Sequence, residues 1–349
     1  MPADCAEPAE APGAPPSWQV GGHLKLQFSG WTIPDNSVFR DALGRSAREL
    51  DLEARLKLAV ADGPWDFHAD YQFITLHGDA LELTGAAPGS ALPLNRVISD
   101  DRRWWNLTDS FGDGRTAFVQ RLDRLNVGYT TARSNWRFGR QALSWGNGML
   151  FNPADVFNPF DPAAVDKEYK TGDDMLYGQF LLGDGSDLQG VAVVRRDPRT
   201  GATAADQSSL AFKYHGFLGS NEYDLLAARH YGDSLLAAGG AVDLHGAVAR
   251  GDLTWTDTER DDVLSVVASL SYSWTWGGKN LTGVLEYYYN GFGQPAGRYG
   301  LADLARNPDL LARLERGELY SLGRSYLGAS ATIEATPLLH VTPNLFVTL

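Results

Sequence analysis

The chain has 349 residues and a formal net charge of -13, with 43 Asp and Glu against 30 Lys and Arg. Its one cysteine, Cys5, excludes a disulfide framework within the chain. The acidic balance, with no basic patch or stripe, argues against a nucleic-acid partner, and no stretch of about 18 apolar residues offers a transmembrane helix.

Residues 1–18 read as a disordered lead-in rich in Ala, Pro and Glu. The opening MPADCAEPAEAPGAPP has no apolar segment of the kind a secretory signal carries, so the expectation is a mature form or a misassigned start. Leu24, Leu26 and Phe28 then alternate with Lys25, Gln27 and Ser29. The tract LDLEARLKLAV follows. Leu50, Leu52, Ala54, Leu56, Leu58 and Val60 alternate with Asp51, Glu53, Arg55, Lys57 and Ala59. Period 2 over this length predicts a strand with one apolar and one charged face. Soluble strands run about 5–6 residues, whereas a tilted membrane-crossing strand needs about 9–11.

The pattern recurs along the chain. Trp65, Phe67, Ala69, Tyr71 and Phe73 alternate with Asp66, His68, Asp70 and Gln72; Leu125, Val127 and Tyr129 alternate with Arg124, Asn126 and Gly128; Trp136 and Phe138 flank Arg137. Later candidates lie near 174–182, 187–196, 208–217, 221–230, 234–243, 246–257, 263–275, 279–289 and 324–340. Short turns such as ADGP (61–64), DLHG (243–246), TWGG (275–278) and TPN (342–344) alternate with longer links over 30–45, 77–114, 141–173, 197–206, 256–262 and 290–323. YGDS (231–234) is a short link within the long set. Sorted short and long connections, and aromatic residues at strand ends, are the marks of a bacterial outer-membrane barrel.

The expected fold class is therefore all-β, a transmembrane antiparallel β-barrel over 19–349 with about 16 or more strands when complete. The tally is about fourteen complete strands and a fifteenth beginning at Leu345. A barrel must close on an even number, so the expectation is a sequence truncated near the start of strand 15. The alternative is a last strand over 336–349, weakened by Pro343 in its middle. A soluble sandwich or solenoid is the rival fold; its strands should be shorter, and no fixed short repeat is visible.

The link Gln141–Asp174 holds FNPADVFNPFDP, whose Asn-Pro and Asp-Pro turns give it a stiff course. Met149, Leu150, Phe151, Phe157 and Phe160 need a place to pack. One reading folds this loop into the lumen as a constriction; the other braces it on the rim. Its charges Asp155, Asp161, Asp166, Lys167 and Glu168, facing Arg124, Arg137 and Arg140 of the preceding strands, form the candidate pore set. Arg121 lies on the same strand as Arg124, and Arg140 has the parity of Trp136 and Phe138, so it needs a bulge or a place beyond the lipid. The duller alternative is that these charges pair and hold the loop down. Asp51, Glu53, Arg55, Lys57, Asp66, His68 and Asp70 form the expected lumen wall, because such groups are prohibitive toward lipid. Arg102, Arg103, Trp104 and Trp105 are either a solute platform or loop packing. Residues 301–318 read as a small amphipathic cap on the mouth.

The stretch FGRQALSWGNGMLFNPADVFNPFDP from Phe138 resembles a segment of porin-like Gram-negative outer-membrane proteins that carry GRQ-x-x-SWG, and more distantly alginate-export barrels. The matching residues are Gly139, Arg140, Gln141, Ser144, Trp145 and Gly146. The resemblance covers about 25 residues. It implies a diffusion or export barrel with a loop entering or covering the pore, and carries no substrate. Zinc spacings, P-loop and nucleophile-elbow motifs are missing, so no enzyme and no cofactor is expected. The expected function is passive diffusion of small polar or charged solutes through the cell outer membrane. The alternatives are a non-conducting scaffold, adhesin or envelope-assembly barrel, or a polysaccharide-export barrel. Expected partners are outer-membrane lipid and lipopolysaccharide and a small polar solute; monomer and homo-oligomer are both compatible.

Overall fold

The computed structural model describes residues 16–33, 35, 40–79, 81, 99–162 and 170–349. Among these, one antiparallel sheet contains all 17 strands. They are β1 (Ser17–Thr32), β2 (Ser46–Asp62), β3 (Trp65–Gly78), β4 (Thr108–Asp113), β5 (Thr116–Thr130), β6 (Ser134–Gln141), β7 (Asp173–Leu181), β8 (Asp187–Val193) and β9 (Ser209–Leu218). The second half holds β10 (Asn221–His230), β11 (Asp233–Leu244), β12 (Ala247–Asp257), β13 (Asp262–Trp276), β14 (Lys279–Tyr289), β15 (Ser325–Thr336), β16 (Leu339–Val341) and β17 (Asn344–Thr348). Short helices are α1 (Arg40–Leu43), α2 (Leu301–Leu304) and α3 (Pro308–Arg316).

The sheet is a meander in which chain neighbours pair, with two exceptions. β3 pairs directly with β5, while β4 and β6 share the other edge of β5. β16 and β17 both pair with β15 and together form one stave. Most tight turns lie at one end of the sheet, and the long connections lie at the other together with the two-residue turns 114–115 and 231–232. Several hairpins use two central residues at positive φ, as at His245–Gly246 and Gly277–Gly278, which matches the twist of the flanking strands.

Burial is inverted relative to a soluble sheet. On β1 and β2 the apolar set points outward, with Leu24 at 72% and Leu56 at 66% exposure, while Arg55 is 1% exposed on the opposite face. In register, Leu26 meets Leu52 and Phe28 meets Leu50 on the outer face; Lys25 meets Glu53 and Gln27 meets Asp51 on the inner one. Trp18, Trp65, Tyr129, Trp136, Trp274 and Trp276 are exposed near the tight-turn end, and Trp65 and Tyr129 touch with ring centroids 4.7 Å apart. An apolar outer band edged by aromatic rings and a charged inner face are what a membrane-spanning barrel requires.

A bulge reshapes the inner face of β5. Asp70 pairs with Arg124 but Tyr71 pairs with Leu122, leaving Asp123 as the extra residue. The bulge resets the alternation, so that Arg121, Asp123 and Arg124 all join the polar side.

The C-terminal pairing differs from the sequence expectation. The chain turns at Pro337–Leu338 rather than at TPN, and one register with β15 runs from Ile333↔Val341 to Tyr326↔Thr348 straight across Pro343. The physical reason is local. Pro343 accepts from the Ala331 N–H at 3.1 Å but has no N–H to return. It costs one ladder bond and splits the stave into two short strands without turning the chain. Among the described residues no ladder joins β1 to this last stave, and both run from the turn end to the loop end.

Leu56→Arg, placed in the middle of the outer face, is expected to destabilise the barrel in lipid vesicles by about 2–4 kcal/mol. Lys57→Arg, one residue on and facing the polar side, is expected to leave stability unchanged. Urea unfolding followed by tryptophan fluorescence checks both; equal stability of the two variants would contradict the assignment of faces.

Candidate functional site

The long loop between β6 and β7 begins at a seam. Where β6 ends, the edge of β5 passes from β6 to β4, and Arg140 fills the junction. It donates to both carboxylate oxygens of Asp174 (2.8 and 3.0 Å), to Asp100 Oδ2 (2.7 Å) and to the Trp105 carbonyl (2.8 Å). Arg140 is 1% exposed, so it is a structural tie rather than a side chain lining open space. Asp100 also accepts from Arg103 (2.6 Å) and the Leu107 N–H (2.7 Å). Burial alone would raise the Asp100 carboxyl, but Arg103 and Arg140 outweigh it and hold the group below the usual carboxylate range. Trp104 and Trp105 stack on each other and lie edge-on to Phe138, on the outer face of β6. That arrangement is packing of the 99–107 segment against the wall.

Gln141 caps the strand end by donating to the carbonyls of Arg137 (3.1 Å) and Met175 (3.3 Å). The chain then leaves the sheet. Trp145 is buried, donates from Nε1 to Gln189 Oε1 at 2.7 Å, and meets Phe157 edge-on at 5.6 Å. These two rings pack with inward Val191, Ala211, Leu226 and Leu235 of the β8–β11 wall. Gly146 bends the chain at φ +89°, and a Cβ there would collide with Asn152 Oδ1.

The next five residues carry the anchor. The N–H groups of Asn147 and Gly148 donate to Asp252 Oδ2 on β12 at 2.6 and 3.3 Å. Those of Met149, Leu150 and Phe151 converge on the Glu286 carboxylate of β14 at 2.7, 3.0 and 2.6 Å. The Asn147 side chain adds bonds to Asp252 Oδ1 (2.8 Å) and Asp224 Oδ2 (3.1 Å). Consecutive amides around a carboxylate form an anion nest, and Glu286 is fully buried in it. Phe151 stacks on Tyr288 at 4.8 Å and touches Tyr326 and Phe346. The loop thus leaves β6 and is bonded to staves β12 and β14, far around the sheet.

The loop's own charges are internally balanced. Asp155 and Lys170 pair at 2.5 Å, both buried, and Lys170 also donates to the Leu143 carbonyl. Burial pushes the Asp155 carboxyl up and the Lys170 amine down, while the pair opposes both shifts. Asp161 lies within electrostatic reach of Tyr320. Asp166, Lys167 and Glu168 lie outside the described residues.

Glu53, Arg55 and Asp70 of the wall named from sequence join Arg121 and Arg124 in one network on β2, β3 and β5. Asp123 is its centre, bonded to Arg55 (2.9 Å), Arg124 (2.8 Å) and Arg121 (3.3 Å). Arg55 also reaches Glu53 and Asp70, both at 3.3 Å. Gln72 bridges Arg121 and Glu53, each contact 2.5 Å. Arg124 donates to the Lys170 carbonyl at 2.5 Å and so ties the loop's returning arm to this wall. Asp66 pairs with Arg137 (2.6 Å) and with His68 (3.1 Å). Asp51 and Lys57 are half-buried on the same face. Sequence reasoning missed Asp252, Glu286, Asp123 and Asp100; it counted Asp174 among the charges of the loop without finding its partner Arg140. Among the described residues no group of three or more His, Cys, Asp or Glu is placed to hold a metal ion.

No family model matches the chain, and no curated protein matches it. Among solved structures it is similar to an anion-selective porin from Comamonas acidovorans, at 12% identity over 95% of this chain and 88% of that one, TM-score 0.49. It is also similar to OprB of Pseudomonas putida, at 13% identity over 93% and 88% of the two chains, TM-score 0.44. A mutant of the Rh. blastica porin is similar at 11% identity over 95% of each chain, TM-score 0.48.

Arg140→Ala leaves Asp100 and Asp174 buried without their shared cation, and is expected to cost about 3–5 kcal/mol. The depressed Asp100 contributes stability above its unfolded value of about 3.9, and this is lost as pH falls through the lower folded value. Arg140→Ala should flatten that acid-side loss, as read from amide exchange of residues 99–107 between pH 6 and pH 3, a window of roughly one to two units about the unfolded value.

Proposed function

We propose that the chain is a porin-like channel of the outer membrane, passing small polar or charged solutes passively, with the loop between β6 and β7 folded across the lumen as its constriction. The observation that carries this reading is the run of five backbone N–H groups, Asn147 to Phe151, bonded to Asp252 and Glu286 on the distant wall. A loop that merely braced the rim next to β6 would have no such partners.

The anchoring side supports one course for the passage. The loop fills the space against β8–β14, with its apolar residues packed on that wall. In this reading the open lumen lies toward β1–β3, where His23, Lys57, Asp66 and His68 are partly exposed. Solute then moves between the loop's back and a wall of mixed charge, where width, local charge and desolvation select it. In this reading Asp155 and Lys170 cancel each other and steer nothing, while Arg124 and Arg137 hold the loop and wall in shape.

Planar-bilayer recordings test the proposal. The folded protein is expected to carry ion current, and silent membranes with folded protein would end the channel reading. Asp252→Ala with Glu286→Ala frees the loop and is expected to raise and broaden the single-channel conductance. Lys57→Glu is expected to move the reversal potential under a salt gradient toward cation preference, whereas removing the buried pair together, Asp155→Asn with Lys170→Met, leaves it in place. The opposite ranking of those two variants would put the passage on the other side of the loop.

A further inference from the structure

Residues 290–324 form a separate small body at the loop end. Leu304, Leu310 and Leu314 make their own apolar core, with Phe292, Leu311, Leu319 and Leu322 around it. Helix α3 is self-contained. Asn307 caps it by accepting from the Leu310 N–H, and Gly317 closes it in the left-handed region. The body hangs from a pinned neck, where Asn290 N–H donates to the Arg324 carbonyl and Gln294 N–H to the Leu322 carbonyl, each at 2.7 Å. The apolar core of this body is its own and not shared with the loop's packing on the wall, so its position is set by what ties it down.

Those ties are charged, and each goes to a different part of the rim. Arg313 bonds Asp233 at the start of β11 (2.7 Å), Asp309 bonds Arg260 of the β12–β13 turn (2.7 Å), and Glu315 bonds Arg102 of the 99–107 segment (2.5 Å). Arg313 is the buried one. Its guanidinium lies 3.7 Å over the Phe292 ring and within 3.8 Å of Glu318. Beneath it a cavity of about 50 Å³ lies between this body and the constriction loop, its lining mixing Asp155, His230, Arg313 and Glu318 with Val156 and Leu235. The contact is built on charged pairs around this cavity rather than on the continuous aromatic and aliphatic packing that fixes the loop to the wall.

We propose that residues 295–321 are a charge-latched cap that swings about the neck at Gln294 and Gly323 and governs access to the lumen, with Arg313–Asp233 as the latch. The assignment rests on the channel reading above. The exposed ties to Arg260 and Arg102 weaken with ionic strength, and the buried Arg313 pair sets the closed state.

The test compares wild type, Arg313→Gln and Asp233→Asn in planar bilayers, with amide exchange of residues 301–316 read on the same proteins. Each latch variant is expected to raise the open-to-closed ratio by roughly 5- to 30-fold and to speed exchange in the cap. A second arm places Arg260→Cys with Asp309→Cys in a Cys5→Ser background and joins them with a reducible bismaleimide. Cross-linking is expected to suppress the openings, and reduction to restore them. Gating that is unchanged by both the latch variants and the cross-link, in a protein that conducts, overturns the cap and leaves the channel reading standing. Silent membranes for every folded protein overturn the two together.

Discussion

Five adjacent amides in one loop must find acceptors away from bulk water, and this demand organises the interior. A buried backbone N–H left unpaired costs about 1–3 kcal/mol, and Asn147 to Phe151 present such donors in sequence. Asp252 and Glu286 answer them from two separate staves. The arrangement satisfies both sides at once, because a lone buried carboxylate on the inner wall is costlier still to leave unpaired. Once the tip is fixed, Trp145 and Phe157 fall against the β8–β11 wall, Phe151 against Tyr288, and the returning arm is caught by Arg124. Charge here is used as mortar on the far side and as network on the near side.

The same economy governs the wall. Asp123 stands among three arginines, and each of those arginines reaches a second acceptor, Arg55 to Asp70, Arg121 to Gln72 and Arg124 to the Lys170 carbonyl. Such a cluster holds strands β2, β3 and β5 rigid by cross-bracing, where a soluble protein would use an apolar core. The outer face needs no comparable design, since lipid accepts any apolar side chain without demanding complementarity.

The strands were legible in sequence because lipid on one side and polar contents on the other enforce a strict period of 2, and Leu50–Val60 is the clearest instance. What the period hides is any place where alternation resets. Asp123 sits at a bulge that brings Arg121 inward, and nothing in RLDRLN announces the extra residue. Arg140 could be flagged as off-parity, yet its role as a tie between Asp100 and Asp174 depends on a segment forty residues upstream. Glu286 did carry a signal, a single carboxylate among the Leu, Val and Tyr residues of β14, but its partners are backbone groups and leave no trace in side-chain chemistry. Pro343 misled in the other direction, because the loss of one ladder bond to β15 splits the stave without turning the chain.

The anchor also orders events in time. The residues that Glu286 holds are more than 130 positions earlier in the chain, so the loop is synthesised long before its acceptor exists. Contacts of such sequence separation are closed late, after the intervening hairpins have formed locally. Until β14 is laid down, Trp145, Phe151 and Phe157 have only part of their final surroundings. The interior is therefore furnished last, and a wall that pairs out of register by one residue would turn Glu286 outward and leave the loop unseated. Seating of the loop reads out whether the distant half of the wall was built correctly.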